Sequence, residues 1–129
     1  QSEAKIALEL TPGLPQIDGD RNQLRQVLHN LLQNAQDALA GEPGGLIRLI
    51  TRASMDGVEV LIADNGPGMP DHILKRAFEP YVTTKAKGTG LGLPMVKKIV
   101  DEHRGRVLIE ANTPRGTIIR LVFPARKPE

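Results

Sequence analysis

Residues 64–100 read DNGPGMPDHILKRAFEPYVTTKAKGTGLGLPMVKKIV, and this stretch decides how the chain is interpreted. It holds two glycine clusters, DNGPGM and GTGLGL, separated by a polar segment that carries several lysines. Glycine lets the backbone adopt angles and close approaches that a Cβ would forbid. The pattern therefore predicts two places where the backbone comes close to a ligand, joined by a covering loop.

The first cluster follows VEVLIAD, a run that predicts a β-strand, so Asp64 stands where that strand ends and the chain turns. A carboxylate beside such an opening can accept a hydrogen bond from an exocyclic amine, such as that of adenine. An ordinary Asn-Gly turn with a solvent-facing aspartate explains the same letters. DNGPGM alone does not separate the two interpretations.

The second cluster leads directly into a predicted helix from about Gly92 to about His103, with Pro94 in its first turn. Free N–H groups at a helix start, together with the helix dipole, favour phosphate. No strand precedes the cluster and no GxxxxGK[ST] occurs, so neither a dinucleotide fingerprint nor a P-loop is present. The lysines before it, Lys85 among them, suit an anionic ligand. A surface loop with solvated charges is the alternative, although long irregular loops in compact domains tend to be functional or disordered.

The clearest helix begins after Asp20, which is a good N-cap, and Gln23 completes a capping box. Gly41 and Pro43 end it. One apolar face recurs at helical spacing, formed by Leu24, Val27, Leu28, Leu31, Leu32, Ala35 and Leu39.

Asn30 and Asn34 leave the same side of this helix, and Asp37 continues their line. Asparagine is a mediocre helix former because its amide competes with the backbone. A solvated polar face would explain the pair. The functional interpretation is a pair of amides facing a cavity, where Mg²⁺ takes oxygen ligands alongside phosphates.

The remaining segments predict strands at KIALEL (an edge strand), LIRLITRAS, RVLIEA and GTIIRLVFP, with a hairpin turn at 55–57 and a short helical piece over residues 71–78. The chain has 129 residues and no cysteine, so we expect a single domain over residues 1–129 without disulfides or thiolate metal sites. A net charge of +2 and 2% aromatic residues argue against nucleic-acid binding. No apolar run is long enough to span a membrane. The element order predicts an α/β fold with mostly antiparallel strands and helices on one side.

In order along the chain, NLLQNAQDA, DNGPGM, FEPY and GTGLGL resemble the N box, first glycine box, F box and second glycine box of the ATP-binding catalytic domain of sensor histidine kinases. This domain is a branch of the Bergerat-fold, or GHKL, ATPases, and RGTIIRLVFP is similar to its closing strand. The segment from FEPY onward looks closest to the nitrogen-regulation type. The resemblance implies a two-layer α/β sandwich in which a mixed sheet of about five strands is covered by three helices.

The resemblance also implies roles around Mg-ATP. Asn34 would ligate Mg²⁺ and Asn30 would support the metal or the phosphates. Lys85 would be the cation of the lid, and Phe78 would anchor that lid. The phosphates would be cradled by Gly88, Thr89, Gly90, Leu91 and Gly92.

At the other end of the nucleotide, the resemblance implies that Asp64 holds the adenine amino group. Gly66 and Gly68 would let the ring approach, and Thr117 would help through a water. Two positions depart from the family pattern. Asp37 stands where many relatives carry a basic residue, and Arg104, which we expect at the surface, stands where glycine is common.

The implied function is donation of the ATP γ-phosphoryl group to a histidine on a separate helical dimerisation domain, for relay to a response regulator. The domain would be cytoplasmic, without membrane or nucleic-acid contact of its own, in a bacterial kinase that is membrane-attached. His29, His72 and His103 each lack the setting of a phosphoacceptor, so an isolated domain should turn over weakly or not at all.

Two alternatives remain open. A hydrolytic ATPase of the same fold would carry a glutamate four residues before the metal-binding asparagine, where this chain has Asn30. A non-catalytic nucleotide-binding or interaction module is the other, and intact Asp64 and Asn34 argue against such decay.

Overall fold

The computed structural model describes residues 4–79 and 92–126. Within these ranges the chain forms three helices and five strands. In chain order they are β1 (Lys5–Leu10), α1 (Arg21–Ala38), β2 (Leu46–Ser54), β3 (Gly57–Asp64), α2 (Asp71–Leu74), α3 (Gly92–Glu102), β4 (Arg106–Ala111) and β5 (Thr117–Phe123).

The five strands form one mixed sheet in the order β1-β2-β3-β5-β4. β1 is an edge strand parallel to β2, whereas the other neighbours are antiparallel. The predicted hairpin is confirmed, with Met55 and Asp56 forming the turn and Ser54 paired with Gly57. The fold is thus the mixed, mostly antiparallel α/β architecture expected from the sequence. Insertion of β5 between β3 and β4 brings Thr117 opposite Asp64.

The core lies between the sheet and helices α1 and α3, whose inner faces include the fully buried Leu31 and Val96. The opposite face of the sheet carries an ion-pair network. Arg52 contacts Glu59 at 2.9 Å, and Arg120 joins Glu59 at 3.3 Å to Glu110 at 2.7 Å. These charges suit a face that none of the helices in residues 4–79 and 92–126 covers. Among the described helices, none combines the length and apolar character needed to cross a bilayer.

The start of α1 differs from the predicted capping box in one of its two bonds. Asp20 caps the helix as expected, because its carboxylate accepts the N–H of Gln23 at 2.9 Å. The N–H of Asp20, however, donates to Nε2 of His103 at 2.9 Å instead of to the Gln23 side chain. The second hydrogen bond of the predicted capping box is therefore wrong, because His103, which is distant in the sequence, accepts the Asp20 N–H in place of Gln23.

Of the two shorter helices, α2 ends earlier than the sequence suggested, whereas α3 agrees with the predicted range. α2 stops at Leu74 and continues as turns towards Phe78. α3 stops at Glu102, where the N–H of Gly105 reaches back to the carbonyl of Val100 at 2.9 Å. Arg104 adopts a φ of 61° in this end motif, a position usually given to glycine. Its side chain is exposed, which confirms the expected surface location.

Candidate functional site

The carboxylate of Asp64 is the most constrained polar group of the site. It lies at the end of β3 and is only 7% exposed. Its Oδ1 accepts the N–H of Gly66 at 2.9 Å and that of Thr117 at 3.3 Å. Among the described residues no hydrogen bond reaches its Oδ2. Burial raises the pKa of Asp64 above its ordinary value, while the two backbone bonds act in the opposite direction. One oxygen is thus fixed by the fold and the other remains available as an acceptor.

Thr117 contributes to this arrangement through its backbone. It pairs with Asp64 across the β3–β5 ladder, so its N–H points at the carboxylate. The resemblance in the sequence implied that Thr117 helps to hold adenine through a water. The direct backbone contact is an additional link that follows from strand register, and the water-mediated role stays a prediction.

Glycines pack this end closely, so a Cβ would be a tight contact at two positions and would not fit at a third. A Cβ on Gly66 would lie 3.2 Å from both the Ala38 carbonyl oxygen and Oδ1 of Asp64. Gly68 has a φ of +79° and faces the carbonyl of Gly116. Gly116 itself has a φ of +114°, and a Cβ there would overlap the carbonyl oxygen of Asp64. We call Asp64, Gly66, Gly116 and Thr117 the strand end of the site.

Two asparagines that the sequence reasoning passed over support the strand end. The side chain of Asn65 accepts the N–H of Leu46 at 2.8 Å and donates to the Gly44 carbonyl at 3.1 Å. The side chain of Asn112 donates to the Asp64 carbonyl at 2.9 Å. Both look like ordinary turn residues in the sequence. For Asn65 the available signal was its position directly after Asp64 in DNGPGM, whereas Asn112 lies outside every quoted box and had no such signal.

Arg115 was also missed. Its Nε donates to the carbonyl of Gly66 at 2.8 Å, and its Nη2 donates to Oε1 of Glu42 at 3.0 Å. In the sequence it reads as one more surface arginine. Its contact with the first glycine cluster depends on a loop-to-loop approach that local patterns do not reveal.

At the other end of the site, α1 meets the beginning of α3. Asn30 and Asn34 are half-buried, and Nδ2 of Asn30 donates to the Gln26 carbonyl at 3.0 Å. A Cβ on Gly92 would lie 3.8 Å from Oδ1 of Asn30 and 3.9 Å from Nδ2 of Asn34. The asparagine pair and the last glycine of the second cluster are therefore neighbours. We call Asn30, Asn34 and Gly92 the helix end of the site.

Helix α1 connects the two ends. Its middle faces Gly92, and the carbonyl of Ala38 in its last turn lies against Gly66. Asn34 and Ala38 are one helical turn apart, or about 6 Å along the axis. A single elongated ligand can therefore contact both ends along one helix.

Asp37 and the histidines are not arranged as reactive groups. Asp37 is exposed, and its Oδ1 accepts Nε2 of Gln33 at 3.0 Å. His29 and His72 are exposed as well. His103 is structural, because its Nε2 accepts from the start of α1 while Nδ1 contacts the Ile99 carbonyl at 2.8 Å.

Several predicted site residues fall outside the described ranges, namely Lys85, Gly88, Thr89, Gly90 and Leu91. Phe78 is half-buried near the end of the first described range. Across residues 4–79 and 92–126, no group of three or more histidine, aspartate or glutamate side chains could hold a metal ion. A cation at the helix end would depend on amide oxygens and on oxygens that the ligand brings, which is the donor set that Mg²⁺ accepts beside phosphates.

Comparison with known proteins identifies the family. The model of the family of histidine kinase-, DNA gyrase B- and HSP90-like ATPases matches residues 19–127. Sporulation kinase A of Bacillus subtilis is 38% identical over 85% of this chain and 18% of its own length. The sensory histidine kinase/phosphatase NtrB of Rhizobium leguminosarum is 37% identical over 95% of this chain and 36% of its own. The chain thus spans well under half the length of these curated relatives.

Solved structures give the same result. A mycobacterial sensor histidine kinase, MprB, superposes with a TM-score of 0.82 at 30% identity, covering 97% of this chain and 86% of that one. Full-length ShkA in complex with AMPPNP gives 0.78 at 30% identity, covering 97% and 27%. Histidine kinase ThkA in complex with the response regulator TrrA gives 0.76 at 30% identity, covering 94% and 34%.

Proposed function

The chain belongs to the family of histidine kinase-, DNA gyrase B- and HSP90-like ATPases, and we propose that it binds Mg-ATP as the catalytic domain of a sensor histidine kinase. The observation that carries the proposal is the Asp64 carboxylate, which has one oxygen fixed by two backbone N–H groups and the other available. Such an acceptor matches the amino group of adenine. The relatives and structural neighbours are sensor histidine kinases, which supports this assignment.

The strand end would take the purine. Asp64 would accept from the adenine amine, and the absence of side chains at Gly66 and Gly68 would let the ring lie against the backbone. Guanine presents a carbonyl at the corresponding position, so its oxygen and the Asp64 carboxylate, both hydrogen-bond acceptors, would face each other. Discrimination against guanine follows from that mismatch.

The helix end would take the phosphates. Asn34 would supply an oxygen to Mg²⁺, with Asn30 beside it, and the start of α3 at Gly92 offers backbone N–H groups with the positive end of the helix dipole. When bound, Mg²⁺ neutralises phosphate charge. In the proposal Gly88, Thr89, Gly90 and Leu91 complete the cradle and Lys85 adds a cation.

The proposed reaction is transfer of the γ-phosphoryl group to a histidine on a separate helical domain, followed by relay to a response regulator. Structures of related kinases with AMPPNP and with a response regulator support this context. The proposal places the domain on the cytosolic side of its full protein.

Hydrolysis by this domain alone is disfavoured by one specific feature. Asn30 occupies the position of the general base in the hydrolytic branch, and an amide cannot accept a proton from water. Its Nδ2 is moreover engaged with the Gln26 carbonyl. We therefore expect negligible multiple-turnover phosphate release.

Calorimetry with ATP, ADP and GTP, with and without Mg²⁺, tests the proposal, and Asp64→Asn is the decisive variant. In this variant Oδ1 must keep accepting the N–H groups of Gly66 and Thr117, so the new NH₂ group takes the place of Oδ2. Two hydrogen-bond donors, this NH₂ group and the adenine amine, would then face each other. We expect the Kd for ATP to rise about 10- to 150-fold, the range for loss of a hydrogen bond to a charged group.

The matched control is Asp56→Asn, which makes the same charge change in the hairpin turn at the opposite end of β3. It should leave ATP binding unchanged. Equal affinity of the wild-type chain and the Asp64 variant for ATP, or equal wild-type affinity for ATP and GTP, would refute the adenine assignment.

A further inference from the structure

Arg115 joins three separate loops next to the strand end of the site. It lies between β4 and β5, its Nε donates to the Gly66 carbonyl at 2.8 Å, and its Nη2 donates to Glu42 at 3.0 Å. Glu42 belongs to the connection between α1 and β2, and Gly66 to the turn that follows β3. One guanidinium thus holds these loops in a fixed relation, which its planar fork of donors allows.

The contact with Gly66 matters because both polar groups of that residue are then used. Its N–H donates to Oδ1 of Asp64 at 2.9 Å, and its carbonyl receives Arg115 at 2.8 Å. Glycine has no side chain to restrict its own backbone, so such a segment needs external contacts to keep one conformation. Each of these two bonds has one partner that can be charged, and such bonds are stronger than neutral ones.

We propose that Arg115 is a positioning residue for the purine. By fixing the Gly66 carbonyl, and being fixed in turn by Glu42, it sets the direction of the Gly66 N–H and so the orientation of the Asp64 carboxylate. The inference rests on the proposed function, since it concerns adenine affinity. It assigns Arg115 no contact with the phosphates.

A simple surface ion pair is the competing explanation, and the chain contains a matched control for it. Arg48 makes a forked pair with Glu9, with contacts of 2.6 and 2.7 Å, at the sheet edge away from the site. The two arginine side chains are similarly exposed, 46% for Arg48 and 53% for Arg115. Exposed pairs of this kind contribute little to stability. If Arg115 were only such a pair, both arginines would respond alike to truncation.

The experiment compares Arg115→Ala with Arg48→Ala by calorimetry against three ligands: Mg-ATP, adenosine and Mg-tripolyphosphate. We expect Arg115→Ala to raise the Kd for ATP and for adenosine by about 5- to 20-fold, less than the loss of the direct Asp64 bond, because Arg115 acts on the purine only through Gly66. Its affinity for tripolyphosphate should stay within about twofold of wild type. Arg48→Ala should change none of the three.

Two further variants and one ligand-free measurement sharpen the test. Arg115→Lys should recover part of the adenosine affinity, because lysine can reach the carbonyl but lacks the fork. Glu42→Gln should have a smaller effect of the same kind. In NMR spectra of the ligand-free chain, Arg115→Ala should shift the amide resonance of Gly66, whereas Arg48→Ala should not.

The outcomes separate the two levels of the proposal. If wild-type protein binds ATP and the Asp64→Asn variant does not, but Arg115→Ala binds like wild type, the positioning role is wrong and the proposed function stands. Equal weakening of adenosine and tripolyphosphate would also overturn it, because that pattern indicates general loosening of the fold. If wild-type protein binds no ATP, the proposed function fails and this inference fails with it.

Discussion

At the strand end of the site, Asp64 and Thr117 are opposite each other on paired strands, and the backbone N–H of Thr117 donates to the Asp64 carboxylate. At the helix end, Asn30 and Asn34 lie on one helix and Gly92 on another, and the two asparagine side chains lie next to the Gly92 backbone. Pairing of the two strands fixes the relative position of residues at the strand end. Contacts between α1 and α3 set the geometry of the helix end, and these contacts depend on side-chain packing rather than on strand register. In the proposed function, the purine would be selected at the end that strand pairing constrains, and the phosphate charge would be accommodated at the end where the two helices meet.

The largest expected effect comes from disrupting the strand end at Gly116. A Cβ there would overlap the Asp64 carbonyl oxygen at a φ of +114°. We expect Gly116→Ala to lower the free energy of unfolding by roughly 3–5 kcal/mol, measured by urea denaturation, through steric overlap and strain. Gly13→Ala is the control, since Gly13 has a φ of +71° with nothing within 4 Å. It should lose only about 1 kcal/mol. Equal losses would show that the close approach to Asp64 is unimportant.

Asn34→Ala tests the helix end. If Asn34 supplies a metal ligand, its removal should raise the Kd for ATP about 10- to 100-fold in the presence of Mg²⁺ and leave Mg²⁺-free binding unchanged. Asn22→Ala, at an exposed asparagine of the same helix, is the control. An equal loss with and without Mg²⁺ would assign Asn34 to packing or to direct phosphate contact instead.

The titration of Asp64 should separate stability from binding. Because burial raises the pKa of Asp64 in the folded protein, its ionisation opposes folding. Its contribution to stability is therefore fully present below the unfolded pKa and is lost as pH rises through the folded pKa. The affinity for ATP should change in the opposite direction and rise with pH, because the adenine amine donates to the ionised carboxylate.

Calorimetry across the acid range should then find ATP affinity falling by up to about tenfold per pH unit below the folded pKa of Asp64. Denaturation of the ligand-free chain over the same range should show Asp64→Asn gaining stability relative to wild type as pH rises. An ATP affinity that is independent of pH in this range would contradict the role of the ionised carboxylate.

The smallest effect is expected outside both ends. Arg104 holds a φ of 61° at the end of α3 with an exposed side chain. Arg104→Gly should raise the unfolding free energy by roughly 0.5–1 kcal/mol, since glycine accepts this conformation without strain. ATP affinity should not change. A loss of stability would mean that the arginine side chain makes a contribution that its exposure conceals.

Local patterns were sufficient for the elements and for the polar residues that begin or end them. The apolar repeat and the Asp20 cap predicted α1, and the turn residues at 55–57 predicted the β2–β3 hairpin. Asp64 stood out because it ends a predicted strand beside a glycine cluster, and its assignment to adenine rather than to an ordinary turn came from the resemblance to the kinase boxes. These signals arise within a few residues of one another, so a single sequence carries them.

Features that depend on chain segments meeting from a distance were not predictable in this way. No local signal places β1 parallel to β2, or inserts β5 beside β3 so that Thr117 reaches Asp64. The contact of Arg115 with Gly66 and that of His103 with Asp20 have the same origin. Exposed polar side chains in turns look alike until the fold decides which of them meet.

The bond between His103 and Asp20 has a mechanical consequence for the site. It ties the far end of α3 to the beginning of α1 at 2.9 Å, so α3 is fastened at the end opposite Gly92. If that tie persists, any displacement of Gly92 relative to Asn34 is a rotation about the tied end. An eleven-residue helix is about 16 Å long, so a tilt of roughly 5° would move its first residue by a little over 1 Å. Such a rotation of α3 changes the distance between Asn34 and Gly92 while the hydrogen bond between His103 and Asp20 stays intact.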